Sequence, residues 1–292
     1  MAKTVLGIIG GSGFYQIEGL DRVERIELDT PFGAPSDAYY RGAAGEVDII
    51  FLSRHGAGHR ILPSELNYRA NVWGMKKLGA EHLVSVSSAG SMKENIAPGE
   101  LVAPDQFIDH TYARRPSFFG DGVVGHVSLA DPVCADLRRD LAGAAATAGA
   151  KVHDGGVYFC IEGPQFSTRA ESNLYRSWGV DVISMTAMQE ARLAREAELC
   201  YAVLALVTDY DCWHQSVAAV DIAEILRVMR LNVALAQRAV LKLAAALARR
   251  ERRERRCACG SSLKDAIITD RAAIPAAAAA RLEPIAGKYL KG

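Results

Sequence analysis

The sequence carries no surplus of either charge: 34 Lys and Arg face 34 Asp and Glu, so nothing global draws the chain to nucleic acid or to an anionic membrane. A metal signature is missing too, because the six cysteines include no CxxC pair and no His cluster stands at zinc-like spacing. Cys134, Cys160 and Cys200 lie in apolar contexts and read as small core residues. The opening MAKTVLGIIGGSGF has one Lys before a short apolar run, without the longer core and cleavage site of a signal peptide. No stretch approaches the apolar length of a bilayer span. These absences point to a soluble, cytoplasmic protein. Internal repeats are absent as well.

A dinucleotide fingerprint is also missing. Val5 to Gly10 is a short apolar run breaking into Gly10-Gly11-Ser12-Gly13, but counting from Gly11 the third glycine falls at Gln16. No Gly-Lys-Ser/Thr ending makes it a nucleotide P-loop either. The turn still brings backbone N–H groups and the Ser12 hydroxyl to a strand end, which suits an anion or serves merely as a tight connection.

What is present is a chain of 292 residues, 50% hydrophobic and 23% charged, an ordinary globular composition. Its organising stretch runs from Val180 to His214. An apolar run ends in Ser184-Met185-Thr186, a helical pattern follows, and a second run ends in Thr208-Asp209-Tyr210-Asp211. This predicts a βαβ unit with polar groups at both strand ends, where open α/β sheets bind ligands. Asp209 and Asp211 are two apart, so extended backbone sends both side chains to one face, and one carboxyl should stay protonated more readily. An isolated DxD also serves as an ordinary cap or turn.

Further strands are predicted over Val47–Ser53, followed at once by Arg54 and His55, and over Leu83–Ser87, which closes in Ser87-Ser88-Ala89-Gly90-Ser91. Leu101–Phe107 and Val157–Ile161 read as strands, and 67–78, 134–149 and 168–178 as helices. An Arg after a buried strand suits bidentate phosphate recognition. The longest helix starts at a capping-box-like Asp221/Glu224 and shows an apolar face through Ile222, Ile225, Leu226, Met229, Val233, Ala236 and Val240. It fades near Leu247 into the charge run 249–256. The expected fold is a single α/β domain (1–248) with a mixed central sheet flanked by helices. Residues 249–292 form a charged linker and an extension with the pair Cys257/Cys259, loosely held or packed on a neighbouring subunit.

Eight motifs occur in one order: GIIGGSGF (7–14), DTPFGAPSD (29–37), SRHG (53–56), LPSELNYRAN (62–71), SAGS (88–91), IEGPQFSTRAE (161–171), SMT (184–186) and TDYDCW (208–213). With them the chain resembles the S-methyl-5'-thioadenosine phosphorylases of the trimeric purine nucleoside phosphorylase group, over about residues 4–247. The resemblance implies a phosphate site of Ser12, Arg54, His55, Ser87 and Thr186. It implies a nucleoside site of Ser88, Phe166 against the purine, Met185 under the ribose, Asp209 and Asp211 at the purine edge, and Ile222, Ile225 and Leu226 around the 5' substituent. His126 would be lent by a neighbouring subunit of a homotrimer or hexamer. Three positions depart from the family pattern: Gln189 where Pro is usual, Ser184 where Asn is common, and Gln165 where Arg is common. The CxC pair resembles that of some archaeal-type members, where the cysteines can bridge.

The implied reaction is phosphorolysis of methylthioadenosine, with inorganic phosphate as co-substrate and neither cofactor nor metal. Asp209 would donate a proton toward N7 and Asp211 accept from the amino group. Rival readings are a 6-oxopurine or methylthioinosine phosphorylase, a hydrolytic nucleosidase, and a non-catalytic nucleoside-binding module. The two aspartates argue against the first, because oxopurine enzymes of this group usually carry Asn there.

Overall fold

A computed structural model describes residues 3–11, 14, 17–214, 222–249 and 257–290. Ser12, the proposed cap Asp221 and the charges of 250–256 lie outside the described residues, as do the side chains of Ile222, Glu224 and Ile225. Among the described residues the strands, all in one sheet, are β1 (Thr4–Gly10), β2 (Asp21–Ile26), β3 (Tyr39–Ala44), β4 (Val47–Ser53), β5 (His82–Ser91), β6 (Leu101–Ala103), β7 (Gln106–His110), β8 (Val152–Asp154), β9 (Val157–Ile161), β10 (Val182–Ser184) and β11 (Cys200–Tyr210). The helices are α1 (Tyr68–Lys77), α2 (Ala135–Thr147), α3 (Arg169–Ser177), α4 (Ala187–Glu196), α5 (Ile222–Ala248), α6 (Ala276–Arg281) and α7 (Glu283–Leu290). The mixed α/β expectation holds.

Strand β11 explains its own uniform apolarity. Tyr201, Val203, Ala205 and Val207 enter the core under α1, α4 and the C-terminal helices, while Ala202, Leu204 and Leu206 enter the core under α2 and α5. Burial on both faces removes the alternation a half-exposed strand would show. The predicted strand over Leu101–Phe107 is instead two, β6 and β7, broken at Pro104, whose missing N–H cannot continue a ladder.

Strand β5 is the hub. Strand β11 runs parallel along one edge from His82 to Ser91. On the other edge β1 pairs with His82 to Val86 in parallel, and β10 then pairs with Gly90 and Ser91 in antiparallel sense. Between them, Ser87, Ser88 and Ala89 have no strand on that edge, so the sheet splits there. The anticipated βαβ unit is therefore corrected. β10 and β11 do not pair, and they run in opposite directions on either side of β5. The connection through α4 therefore joins antiparallel strands across β5 and is not a parallel crossover.

Two further expectations change. Leu226–Ala248 within α5 is 23 residues long and contains an 18-residue window of mean hydropathy 1.4, long and apolar enough by length and composition to cross a membrane, contrary to the sequence reading. Its buried residues Val233, Ala236, Ala239, Val240, Leu243, Ala244 and Leu247 recur at helical spacing and pack into the core of the sheet, which accounts for the apolarity. The extension beyond residue 256 is neither loose nor separate. Leu263, Ala266, Leu282, Ile285 and Ala286 belong to the main core, and Trp73 Nε1 donates to the Arg281 carbonyl at 3.1 Å. Cys134 and Cys200, read as separate core residues, lie in one group with Cys257 and Cys259.

Candidate active site

The split edge of β5 gathers the motif residues. Gly11 follows β1, and its N–H donates to the Val86 carbonyl at 2.9 Å. A Cβ on Gly11 would lie 2.7 Å from Arg54 Nη1, so only glycine lets the turn pass over that guanidinium. From the β10 side, Ser184 Oγ donates to the Ser88 carbonyl at 2.7 Å, and Ser87 Oγ lies 3.2 Å from the Tyr158 hydroxyl. The Ser88 hydroxyl is buried with no partner among the described residues.

Thr186 stands at the N-cap of α4, 4% exposed, and its side chain makes no capping bond. A helix N-terminus with a free hydroxyl is a site for an anion, since the first-turn N–H groups are unpaired and the dipole is positive there. His55 donates through Nδ1 to the Ile61 carbonyl at 2.8 Å, which leaves Nε2 as an acceptor while the ring is neutral. Burial, then the neighbouring Arg54 charge, pushes the His55 pKa down to about 4.

Arg54 departs from expectation. Its Nε donates to Glu190 Oε1 at 2.5 Å and Nη2 to Glu190 Oε2 at 3.1 Å, so the planar fork is occupied by a carboxylate of α4. The remaining donors reach Ser85 Oγ, the Ile9 carbonyl and the Val86 carbonyl at 2.6, 3.2 and 3.1 Å. Burial works against the Arg54 charge, and Glu190 more than restores it, leaving the pKa raised. Nη1 carries one hydrogen beyond the Val86 bond. A bidentate grip on phosphate by this side chain is excluded in this arrangement.

The carboxylates sit at the other end of the split. The register of β11 on β5 shifts between Val207 and Asp209, a bulge that turns Asp209 toward Gly90. A Cβ on Gly90 would lie 3.1 Å from Asp209 Oδ1 and 3.5 Å from Asp211 Cβ, so glycine leaves room for both acids. Burial raises the Asp209 pKa, the Thr208 hydroxyl at 2.7 Å opposes it, and the Asp211 charge adds to the rise. Burial also raises Asp211, against the Ser172 hydroxyl that donates to its Oδ2 at 2.5 Å. Two neighbouring acids at a strand end, Asp209 half-buried and Asp211 buried, both with raised pKa values, make a candidate proton-donating site.

Met185 lies in the loop between β10 and α4, braced by a second buried ion pair that sequence reading missed. Arg114 Nε donates to Glu162 Oε1 at 3.1 Å, Nη1 to the Met185 carbonyl at 2.5 Å and Nη2 to the Glu162 carbonyl at 2.7 Å. Glu162 had a signal, as part of the IEGPQF motif, but Arg114 stands in no motif. Gln189, the departure from Pro, is buried and donates to Thr111 Oγ1 at 2.6 Å.

Other nominated residues are not drawn into this group. Phe166 is 79% exposed, and Leu226 is exposed while Val228 takes the buried position on α5. His126 is exposed, its backbone N–H bonded to the Ala266 carbonyl at 2.9 Å.

Comparison with known proteins matches residues 5–245 to the model of the phosphorylase superfamily. An S-methyl-5'-thioadenosine phosphorylase of Geobacter sulfurreducens is 58% identical over 99% of this chain and 100% of its own length. One from Koribacter versatilis is 51% identical over 98% of this chain and 97% of its own. Among solved structures, a methylthioadenosine phosphorylase sourced from an antarctic soil metagenomic library superposes with TM-score 0.91 at 43% identity, covering 97% of this chain and 99% of that one. The Schistosoma mansoni methylthioadenosine phosphorylase in complex with adenine gives TM-score 0.82 at 37% identity, covering 85% of this chain and 93% of that one.

Proposed function

The chain belongs to the phosphorylase superfamily, and we propose that it cleaves S-methyl-5'-thioadenosine with inorganic phosphate, releasing adenine and 5-methylthioribose 1-phosphate. The observation that carries this reading is the pair Asp209/Asp211 at the carboxyl end of β11, half-buried and buried respectively, with both pKa values raised. Breaking the glycosidic bond leaves positive charge on the sugar and negative charge on the base. A protonated Asp209 offsets the second by donating to N7, and Asp211, held by Ser172, accepts from the exocyclic amino group.

Phosphate offsets the first charge from beneath the ring. Its proposed cradle is the N-terminus of α4 with the hydroxyls of Thr186, Ser87 and Ser12, the His55 ring and the remaining Nη1–H of Arg54. Because Glu190 neutralises Arg54, the cradle works mainly through hydrogen bonds and the helix dipole. A bound dianion beside His55 favours the imidazolium and so draws a proton onto that ring. No cofactor or metal takes part in this chemistry. Ser88 Oγ and Met185 belong to the ribose side, Phe166 to the base, and Ile222, Ile225 and Leu226 to the methylthio group.

The exposed positions of Phe166 and His126 fit a homo-oligomer, a trimer or hexamer, in which His126 of one protomer closes the site of its partner. We place this activity in the cytoplasm, in purine and methionine salvage. The reading is tested by incubating the protein with methylthioadenosine, adenosine, inosine and methylthioinosine, with and without phosphate. Phosphate-dependent release of adenine from methylthioadenosine supports it; phosphate-independent release, or a preference for the oxopurines, contradicts it.

A further inference from the structure

The Sγ atoms of Cys134, Cys200, Cys257 and Cys259 all lie within 4.8 Å of one another, although the four come from three separate parts of the fold. Cys134 is the N-cap of α2 and gives no side-chain cap, and its N–H donates to the Tyr201 carbonyl at 2.8 Å, which sets it beside Cys200 at the first position of β11. Cys257 precedes and Cys259 lies within a 3₁₀ turn, Ala258–Ser261, that begins the described C-terminal segment. Cys134, Cys200 and Cys259 are buried and Cys257 is half-buried.

Four thiolates around one tetrahedral zinc ion at a Zn–S distance of about 2.3 Å stand about 3.8 Å apart. The four sulfurs already approach this arrangement, with Cys200 and Cys257 3.4 Å apart. Within this group every donor is sulfur, which favours a soft, thiophilic ion over magnesium or calcium. Arg195 Nη1 donates to Cys259 Sγ at 3.6 Å, so a cation faces the negative charge that four thiolates around a divalent ion retain. Four protein ligands also close the coordination sphere, as in structural rather than catalytic sites.

We propose that these four cysteines hold one thiophilic divalent cation, zinc by preference, as a structural site that pins the C-terminal segment to α2 and β11. Its place in the fold separates it from the chemistry. Cys200 opens β11 and Asp209 lies near the other end, about 30 Å away along an extended strand. Binding converts the four thiols to thiolates with release of their protons, and neither oxidant nor reductant is needed.

The test uses the full chain purified under reducing conditions. Metal analysis should find one zinc per chain. Removal by a strong chelator should lower the thermal midpoint, and added Zn²⁺ should restore both the ion and the midpoint. Cobalt(II) loaded in place of zinc should show thiolate-to-metal charge-transfer absorption and the visible bands of a tetrahedral site. Cys257→Ser/Cys259→Ser should lose the ion and the cobalt spectrum, with kcat on methylthioadenosine unchanged. Wild-type protein that binds no stoichiometric zinc after reduction overturns the proposal, whether or not the double variant folds. So do peptide mapping that finds the four cysteines in disulfides in the protein as isolated, and a double variant that keeps its zinc.

Discussion

The Arg54 guanidinium and the Glu190 carboxylate, 136 residues apart in sequence, meet in a buried ion pair with Nε 2.5 Å from Oε1, at 1% and 0% side-chain exposure. The pair locks the end of β4 to the first turns of α4, the two elements that flank the proposed phosphate cradle. Glu190→Gln would leave the guanidinium charged and uncompensated in the interior. We predict a loss of about 3–5 kcal/mol in unfolding free energy, measured by chemical denaturation. Arg54→Lys, unable to form the fork, should also destabilise; unchanged stability in either variant would contradict this locking role.

Ser88 Oγ is buried without a partner among the described residues, in the gap where β1 stops pairing with β5 and β10 has not begun. A hydroxyl in that condition costs stability unless a ligand uses it. Ser88→Ala should therefore leave the thermal midpoint equal to or above that of the parent while raising the KM for the nucleoside. A lowered midpoint with unchanged kinetics would give the hydroxyl a structural role.

Two buried groups titrate with opposite signs. His55, held at about 4 by burial and Arg54, binds fewer protons folded than unfolded between its folded value and its ordinary 6.5. Its contribution is complete above about 6.5 and is lost as pH falls toward 4, about 3 kcal/mol in all. Glu196, raised by burial to about 7 despite the Ser117 hydroxyl and the Phe118 N–H, contributes below its ordinary value and loses that contribution as pH rises through 7. The two oppose each other in weak acid, so the total stability curve hides both. Denaturation from pH 4 to 8 should give a difference curve between parent and His55→Gln that slopes one way, and between parent and Glu196→Gln the other.

The C-terminal segment supplies Leu263, Leu282, Ile285 and Ala286 to the main core. Truncation after residue 256 uncovers that apolar face, so we predict a thermal midpoint lowered by many degrees and aggregation on heating. A truncated chain as stable as the parent would restore the view of this segment as an appendage.

Much of this architecture was legible in the sequence, for identifiable reasons. Val157–Ile161 and the helices over 67–78, 134–149 and 168–178 carry local patterns, and the structure places elements there. What escaped is non-local. The pairing of β10 and β11 on opposite edges of β5 is a contact with a strand about 90 to 120 residues earlier in the chain, which periodicity does not encode. Arg54 looked like a ligand because its partner Glu190 lies far along the chain, and Arg114 had no motif to mark it. The four cysteines likewise meet only once α2, β11 and the C-terminal segment are folded together. Strand β2 went unread because the sheet-edge residues Asp21–Ile26 are mostly exposed and lack an apolar run.

The central claim is that half-buried Asp209 holds a proton and gives it to the departing adenine, and the pH dependence of kcat on methylthioadenosine, for the parent and Asp209→Asn, tests it most directly. A general acid acts only while protonated, so the parent's rate should fall as pH rises through its raised pKa, and Asp209→Asn should be slower by about 10²–10⁴ and lack that limb. A variant that turns over methylthioadenosine as fast as the parent, with the same alkaline limb, would contradict it.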